Sequence, residues 1–307
     1  MDIALVIPLV AAGIRLATPL IFAALGGILS ERSGVINIGL EGMLVIGTFG
    51  GYVGALFGQT PWLGALGGIV AGALLGFLFA VMAVLLGADQ VVLGTGVNVA
   101  ALGLTSFFYR AMYRAGVSQF FSGFEVYPVP GLSTIPVVGD VLFNQVPLVY
   151  LAYLLIPLMA LVLYRTTWGL KLRAVGEHPR AADTAGIPVM RTRIMAVTLS
   201  GALAGLGGAF LCVGQLSAFT EGLVAGRGFI ALAAVIFGRW DPGRAALACL
   251  MFGLADALQL RLQGLGLPIS YEFLLMFPYV LTLVTFVLFV HRTRPPASLG
   301  RPYFGHE

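Results

Sequence analysis

Charge is the scarcest commodity in this sequence. Only 10% of the 307 residues are Asp, Glu, Lys or Arg, while 59% are hydrophobic. Soluble domains carry about 25% charged residues, so a water-exposed globule of this size is excluded. Lysine is almost missing: Lys171 stands alone, within Trp168-Gly169-Leu170-Lys171-Leu172. A P-loop needs Gly-Lys followed by Ser or Thr, so the chain carries no ATP-hydrolysing P-loop of its own. Histidine is confined to His178, His291 and His306, in loops or at a helix end. There is no His-Glu-x-x-His pair and no histidine deep in an apolar run, so no metal site, cofactor or proton relay through imidazole is expected. Ser200 has no membrane-buried histidine to activate it, and no catalytic residue is expected. Cys212 and Cys249 lie in apolar runs and read as small buried thiols. The net charge of +4 does not point to nucleic acid, because the basic residues sit in loops that also have to set membrane topology.

What the chain has is apolar length. Runs occur at about 4–29, 40–57, 62–86, 90–110, 147–164, 193–215, 227–238, 245–263 and 272–290. Crossing the hydrocarbon takes roughly 20 apolar residues per helix. The expected fold class is therefore all-α: one polytopic transmembrane helical bundle over 1–307, with about eight to ten helices. The run 227–238 is short for a full crossing and reads as a half-helix or as part of a longer element. Asp2 and the length of the first run argue against a cleaved signal peptide.

Basic residues set the orientation. With the loop 165–192 cytoplasmic and each run crossing once, one side receives Arg32, Arg165, Lys171, Arg173, Arg180, Arg191, Arg193, Arg239, Arg244, Arg292, Arg294 and Arg301. The other side receives Arg110, Arg114, Arg227 and Arg261, and Arg15 lies inside the first run. Twelve against four satisfies the positive-inside rule. The N-terminus is then outside, the C-terminus inside, and 111–146 is an extracytoplasmic loop.

Small residues mark helix contacts. Gly64, Gly68, Gly72 and Gly76 form a ridge at i+4 spacing, and Gly47/Gly51 and Gly201/Gly205 repeat the interval. Such ridges let backbones approach where lipid supplies no hydrophobic drive. Two Gly-interrupted segments precede helices, Ser33 to Gly42 and Glu221 to Ile230. Paired interruptions in two halves of a transporter point to inverted repeats with broken helices near the solute path; chance similarity of Gly-rich segments is the other reading.

Polar residues at membrane depth are functional candidates by default. Glu41, Asp89, Asp256 and Glu272 are the acidic ones. Asp256 lies five residues before Arg261, so a structural ion pair competes with a solute contact. Asn37, Asn98 and Gln215 could meet sugar hydroxyls or base edges, with interhelical hydrogen bonding as the alternative. Asn37, Glu41, Asn98, Gln215 and Asp256 are the candidates for the solute path.

The loop 165–192 contains Pro179, suited to open a short helix, and Gly186, suited to end it in a left-handed cap before Pro188. Here Ala181-Ala182, three residues and then Gly186 resemble the coupling-loop motif of ABC importer permeases, with Arg180 at a position that is usually acidic. Glu31-Arg32-Ser33-Gly34-Val35-Ile36-Asn37-Ile38-Gly39-Leu40-Glu41-Gly42-Met43 resembles the first-half signature of the nucleoside and simple-sugar permeases of that group. The stretch from Gly226 to Trp240 resembles their second-half signature. The resemblance covers nearly the whole chain. It implies a bacterial inner-membrane permease subunit working by alternating access on a nucleoside or another sugar-containing solute. It also implies three partners: separate ATP-binding subunits, a second permease that is a copy or a paralogue, and an extracytoplasmic binding protein, often a lipoprotein. Arg180, Ala181, Ala182 and Gly186 would then sit in the groove of the ATPase, and the loop 111–146 would help receive the binding protein or simply cover the bundle. The rival expectation is a stand-alone transporter driven by protons or sodium, with Asp256 as its intramembrane carboxylate.

Overall fold

A computed structural model describes residues 3–112, 120–264 and 294–304, together with 273, 276, 280 and 284. The apolar run expected over 272–290, with Glu272 and His291, falls largely outside the described residues, as do Arg114, Arg292 and His306. The other eight runs are helices. They are α1 (Ile3–Arg32), α2 (Leu40–Gly58), α3 (Pro61–Ala80), α4 (Gln90–Met112), α6 (Pro147–Arg165), α9 (Val189–Ala209), α10 (Arg227–Phe237) and α11 (Pro242–Gly264). Seven of them, counting the π turns that prolong α3 over Val81–Leu85 and α9 over Phe210–Leu216, are long and apolar enough to cross a membrane. Helix α10, at 11 residues, is not. The remaining elements are short: α5 (Val138–Leu142), α7 (Thr167–Glu177), α8 (Pro179–Thr184) and a two-residue antiparallel pair joining Tyr127–Pro128 to Asn144–Gln145.

The bundle is organised by glycine. Helices α2, α3 and α9 pack on one another, and α1 lies against α9 and α11. A Cβ on Gly72 would fall on the Gly201 carbonyl oxygen and 2.6 Å from Gly205 Cα. One on Gly68 would lie 2.7 Å from Gly205 O and 2.9 Å from Gly47 O. The ridge from Gly64 to Gly76 is therefore one side of a three-helix seam whose other sides are Gly47/Gly51 and Gly201/Gly205. In lipid, where burial of one apolar surface on another gains little, this close approach supplies the packing contacts and fixes helix register.

One end of the bundle carries the longest basic loop. Arg32 Nε, at the end of α1, donates to Trp240 O at 3.2 Å, and a Cβ on Gly176 of α7 would strike Arg32 O. Helix α7 is capped by Thr166, whose Oγ1 accepts from Gly169 N at 3.1 Å. It buries Gly169, Leu172, Val175 and Gly176 on one face. Helix α8 follows as expected. Pro179 occupies its first turn, Gly186 has φ +79°, and the bonds Ile187 N to Ala182 O (3.0 Å) and Gly186 N to Asp183 O (2.8 Å) complete a Schellman cap. At the opposite end, the described part of the 111–146 loop lies over the close of α9. Phe121 N donates to Ser217 O at 3.3 Å and Phe124 N to Val213 O at 2.9 Å.

The seam predicts a sharp contrast. Gly72→Val should cost about 3 kcal/mol by forcing backbones apart, whereas Gly264→Val, where a Cβ meets no atom of the described residues within 4 Å, should be close to neutral. Thermal unfolding of the purified variants in detergent, followed by intrinsic fluorescence, measures the difference.

Candidate functional site

Helices α2 and α10 both begin inside the bundle, and each is preceded by non-helical chain. In a bilayer such backbone persists only where protein satisfies its polar groups. Before α2, Ile36 N donates to Gln90 Oε1 at 2.7 Å, and Asn98 Nδ2 donates to Ile38 O at 3.0 Å. The other end of the same amide, Asn98 Oδ1, accepts from Gly42 N at 2.7 Å. Asn37 Nδ2 donates to Ser200 Oγ at 3.1 Å, midway along α9, and to Met43 Sδ at 3.4 Å.

Before α10 the chain turns through Ser217 (φ 53°), Gly222 (φ 78°) and Gly226 (φ 81°). A helix N-terminus leaves several N–H groups without partners and carries partial positive charge. The groups here are met by Glu41, which reaches across from the first turn of α2. Its Oε1 accepts from Gly226 N at 2.8 Å and its Oε2 from Gly228 N at 2.6 Å. A Cβ on Gly228 would lie 2.5 Å from Glu41 N and Cα, so only glycine allows the two helix starts to come together. Arg227 completes the turn, with Nη1 donating to Leu223 O at 2.9 Å. Its charge also acts on Glu41 and on the half-buried Asp256 of α11.

The five residues expected on the solute path thus divide. Asn37, Glu41 and Asn98 meet at the start of α2, whereas Asp256 is half-buried on α11. Gln215 stands apart, with Nε2 donating to Arg15 O of α1 at 3.0 Å. Among the four residues of the α8 motif, Arg180, Ala181 and Gly186 are exposed, while Ala182 is buried in a small cluster with Val175 and Val189. Ala182 anchors the helix that the other three present.

A narrow cavity of about 30 Å³ lies beside Glu41. Its lining includes Thr48, Thr105, Ser106, Phe219, Thr220 and Glu221. Phe219 belongs to an aromatic group with Phe49, Tyr52 and Tyr109, at centroid distances of 5.6, 5.7 and 4.8 Å. Arg110 at the end of α4 forms a two-point pair with Glu221, both bonds at 2.8 Å, which holds that carboxyl below its usual range. The cavity has room for about one water and none for an organic solute.

Sequence reasoning missed several of these parts. Thr48 and Thr105 bond back to Leu44 O (2.9 Å) and Ala101 O (2.8 Å), as hydroxyls commonly do in helices, so nothing in the pattern distinguishes them. The Arg110–Glu221 pair spans 111 positions and has no local signal. Helix α7 was missed as well: the sequence reading gives the loop 165–192 one short helix after Pro179 and none before it.

Two helices that start inside a glycine-packed bundle after non-helical chain, with seven helices able to cross a membrane, fit a multi-pass membrane transport permease. Comparison with known proteins gives the family. The model of the branched-chain amino acid transport system / permease component family matches residues 9–290, and the chain belongs to that family. It is 42% identical to the guanosine ABC transporter permease protein NupQ of Bacillus subtilis and 42% identical to the nucleoside ABC transporter permease protein NupC of Lactococcus lactis. Both alignments cover 94% of this chain and 93% of the relative. TsgC13 of Haloferax volcanii, provisionally named a glucose ABC transporter permease protein, is 39% identical over 84% of this chain and 79% of its own length. The chain is thus the membrane-embedded transport component of an ABC importer.

Glu41 is the testable centre of the site. Glu41→Ala leaves two buried N–H groups without acceptors and should lower stability by about 3 kcal/mol, with Glu41→Gln intermediate because one acceptor oxygen remains. Denaturation of the purified proteins should rank them wild type, Gln, Ala.

Proposed function

We propose that the chain carries nucleosides across the bacterial inner membrane, together with a second permease, separate ATP-binding subunits and an extracytoplasmic binding lipoprotein. The observation that carries this reading is the narrow cavity beside Glu41, where hydroxyls and an aromatic cluster converge on two helix starts. Thr48, Thr105, Ser106 and Thr220 suit a ribose, and Phe219 offers a face for a base. The close relatives named for guanosine and nucleosides point the same way. A bare helix N-terminus would favour an anionic solute. Here Glu41 already fills that position, so an uncharged solute is preferred and a nucleotide is excluded.

In this reading the face bearing α7 and α8 is cytoplasmic, and the 111–146 loop faces the binding protein. ATP-driven closure of the partner subunits presses on α8 through Arg180, Ala181 and Gly186. The bundle responds by changing the side to which its cavity opens, which requires the partner to contact the two states differently. The exposed face of α4, with Gly96 and Gly103 open, supports a place for the second permease.

Reconstitution of the full complex in vesicles tests the reading. ATP-dependent uptake of labelled guanosine should be competed by other nucleosides and not by nucleotides. Competition by glucose alone would move the solute to a simple sugar, the reading suggested by the Haloferax relative. Gly186→Trp should lower uptake about ten-fold or more while membrane insertion persists. Ion-driven uptake by the chain alone would overturn the ABC mechanism in favour of a secondary transporter centred on Asp256.

A further inference from the structure

The segment 294–304 is strapped across the end of the bundle. Ala297 N donates to Glu177 Oε2 at 3.2 Å, where α7 ends. Ser298 donates to Gly176 O twice, from N at 3.0 Å and from Oγ at 2.6 Å. Gly300 N donates to Gly34 O at 3.0 Å, in the interruption before α2, and Tyr303 OH donates to Asp183 Oδ2 of α8 at 2.9 Å. The strap thus touches the lever helix and the first helix break, which are far apart in sequence.

Arg193 lies beneath it. This residue sits in the first turns of α9 and is only 1% exposed. Its Nε donates to Ser33 O at 3.1 Å, its Nη1 to Arg301 O at 3.0 Å and its Nη2 to Ser298 Oγ at 3.3 Å. These partners are neutral oxygens, two on the strap and one at the break. Burying a guanidinium among neutral acceptors is costly, and an apolar side chain would fill the same space at less expense. What an apolar side chain cannot do is hold three separate segments by one rigid fork. Gly34 is shaped for the same junction: its φ is +92°, and a Cβ there would lie 2.6 Å from Ser298 Oγ and 2.8 Å from Arg193 Nη2.

We propose that Arg193 and the strap form a transmission clamp, carrying displacement of α8 to the 33–39 segment and so to Asn37 and Glu41. Helix α8 already leads into α9 along the chain. The clamp supplies the second route, to the start of α2, so that α2 and α9 move together when the lever is pressed. Arg193 is then a positioning residue for the transport cycle. The inference rests on α8 being the point where the ATP-driven partner acts.

The test uses the whole importer in vesicles and measures solute moved per ATP hydrolysed, alongside co-purification of the ATP-binding subunits. Arg193→Met, and a chain ending at Pro296, should leave ATP hydrolysis near wild type while solute per ATP falls about five-fold. Arg193→Lys, which keeps the charge and loses the fork, should fall between. Tyr303→Phe removes one exposed hydroxyl, cannot threaten folding, and should lower the ratio about two-fold. If every variant keeps the wild-type ratio, or if transport and hydrolysis fall in step with the amount of assembled complex, the clamp is merely structural and the proposal is overturned. Gly186→Trp separates the two ideas: no effect of that variant sinks the role of α8, whereas an effect there with unchanged strap variants sinks only the clamp.

Discussion

The carboxylate of Glu41 joins the two halves of this bundle. Every interruption of a membrane helix exposes N–H groups that hydrocarbon cannot satisfy. Among the described residues such interruptions precede α2 and α10, and one side chain from the first turn of α2 closes the second, through bonds of 2.8 and 2.6 Å to Gly226 and Gly228. The arrangement makes the two breaks interdependent: α10 cannot shift its start without releasing Glu41, and α2 cannot rotate without withdrawing it. Gly42, Gly228, Asn98 and Gln90 have roles only because this junction exists.

Around the junction, stiffness is unevenly distributed. The seam of α2, α3 and α9 is largely backbone against backbone, with small side chains between, so those helices respond to force as one piece. The links at the periphery differ in kind. Arg110 and Glu221 are exposed, and such pairs yield easily to solvent. The bonds at Glu41 and Asn98 are buried, and breaking them leaves unmet groups. Motion that opens the cavity toward Phe219 and Glu221 therefore costs less than motion that separates the two helix starts.

Much of this was legible in the sequence, because membrane physics writes in long, simple signals. Apolar length gave eight of the described helices, including the shortness of α10. The i+4 glycine spacing gave the seam, since only one face of α3 carries it. Pro179 and Gly186 gave both ends of α8, because a missing N–H and a left-handed φ are properties of single residues. Contacts between distant segments were not legible. Nothing near Ala182 in the sequence shows that it turns inward toward Val175 and Val189. Asn98 was visible as a polar residue in a helix. Its service to both Ile38 and Gly42 depends on where an unrelated segment breaks.

The pattern of polar groups follows one logic from end to end. Asn98 and Gln90 spend their side chains on the backbone before α2, Glu41 on the backbone before α10, and Arg193 on Ser33 and the strap. Each of these groups stabilises non-helical chain that an uninterrupted helix would not have needed. A bundle selected only for stability would have closed both breaks and dispensed with the buried charges. The breaks persist, with their costs offset by dedicated side chains, and they leave segments inside the bundle whose hydrogen bonds come from side chains of other helices. Long helices locked by glycine supply the frame against which those segments move.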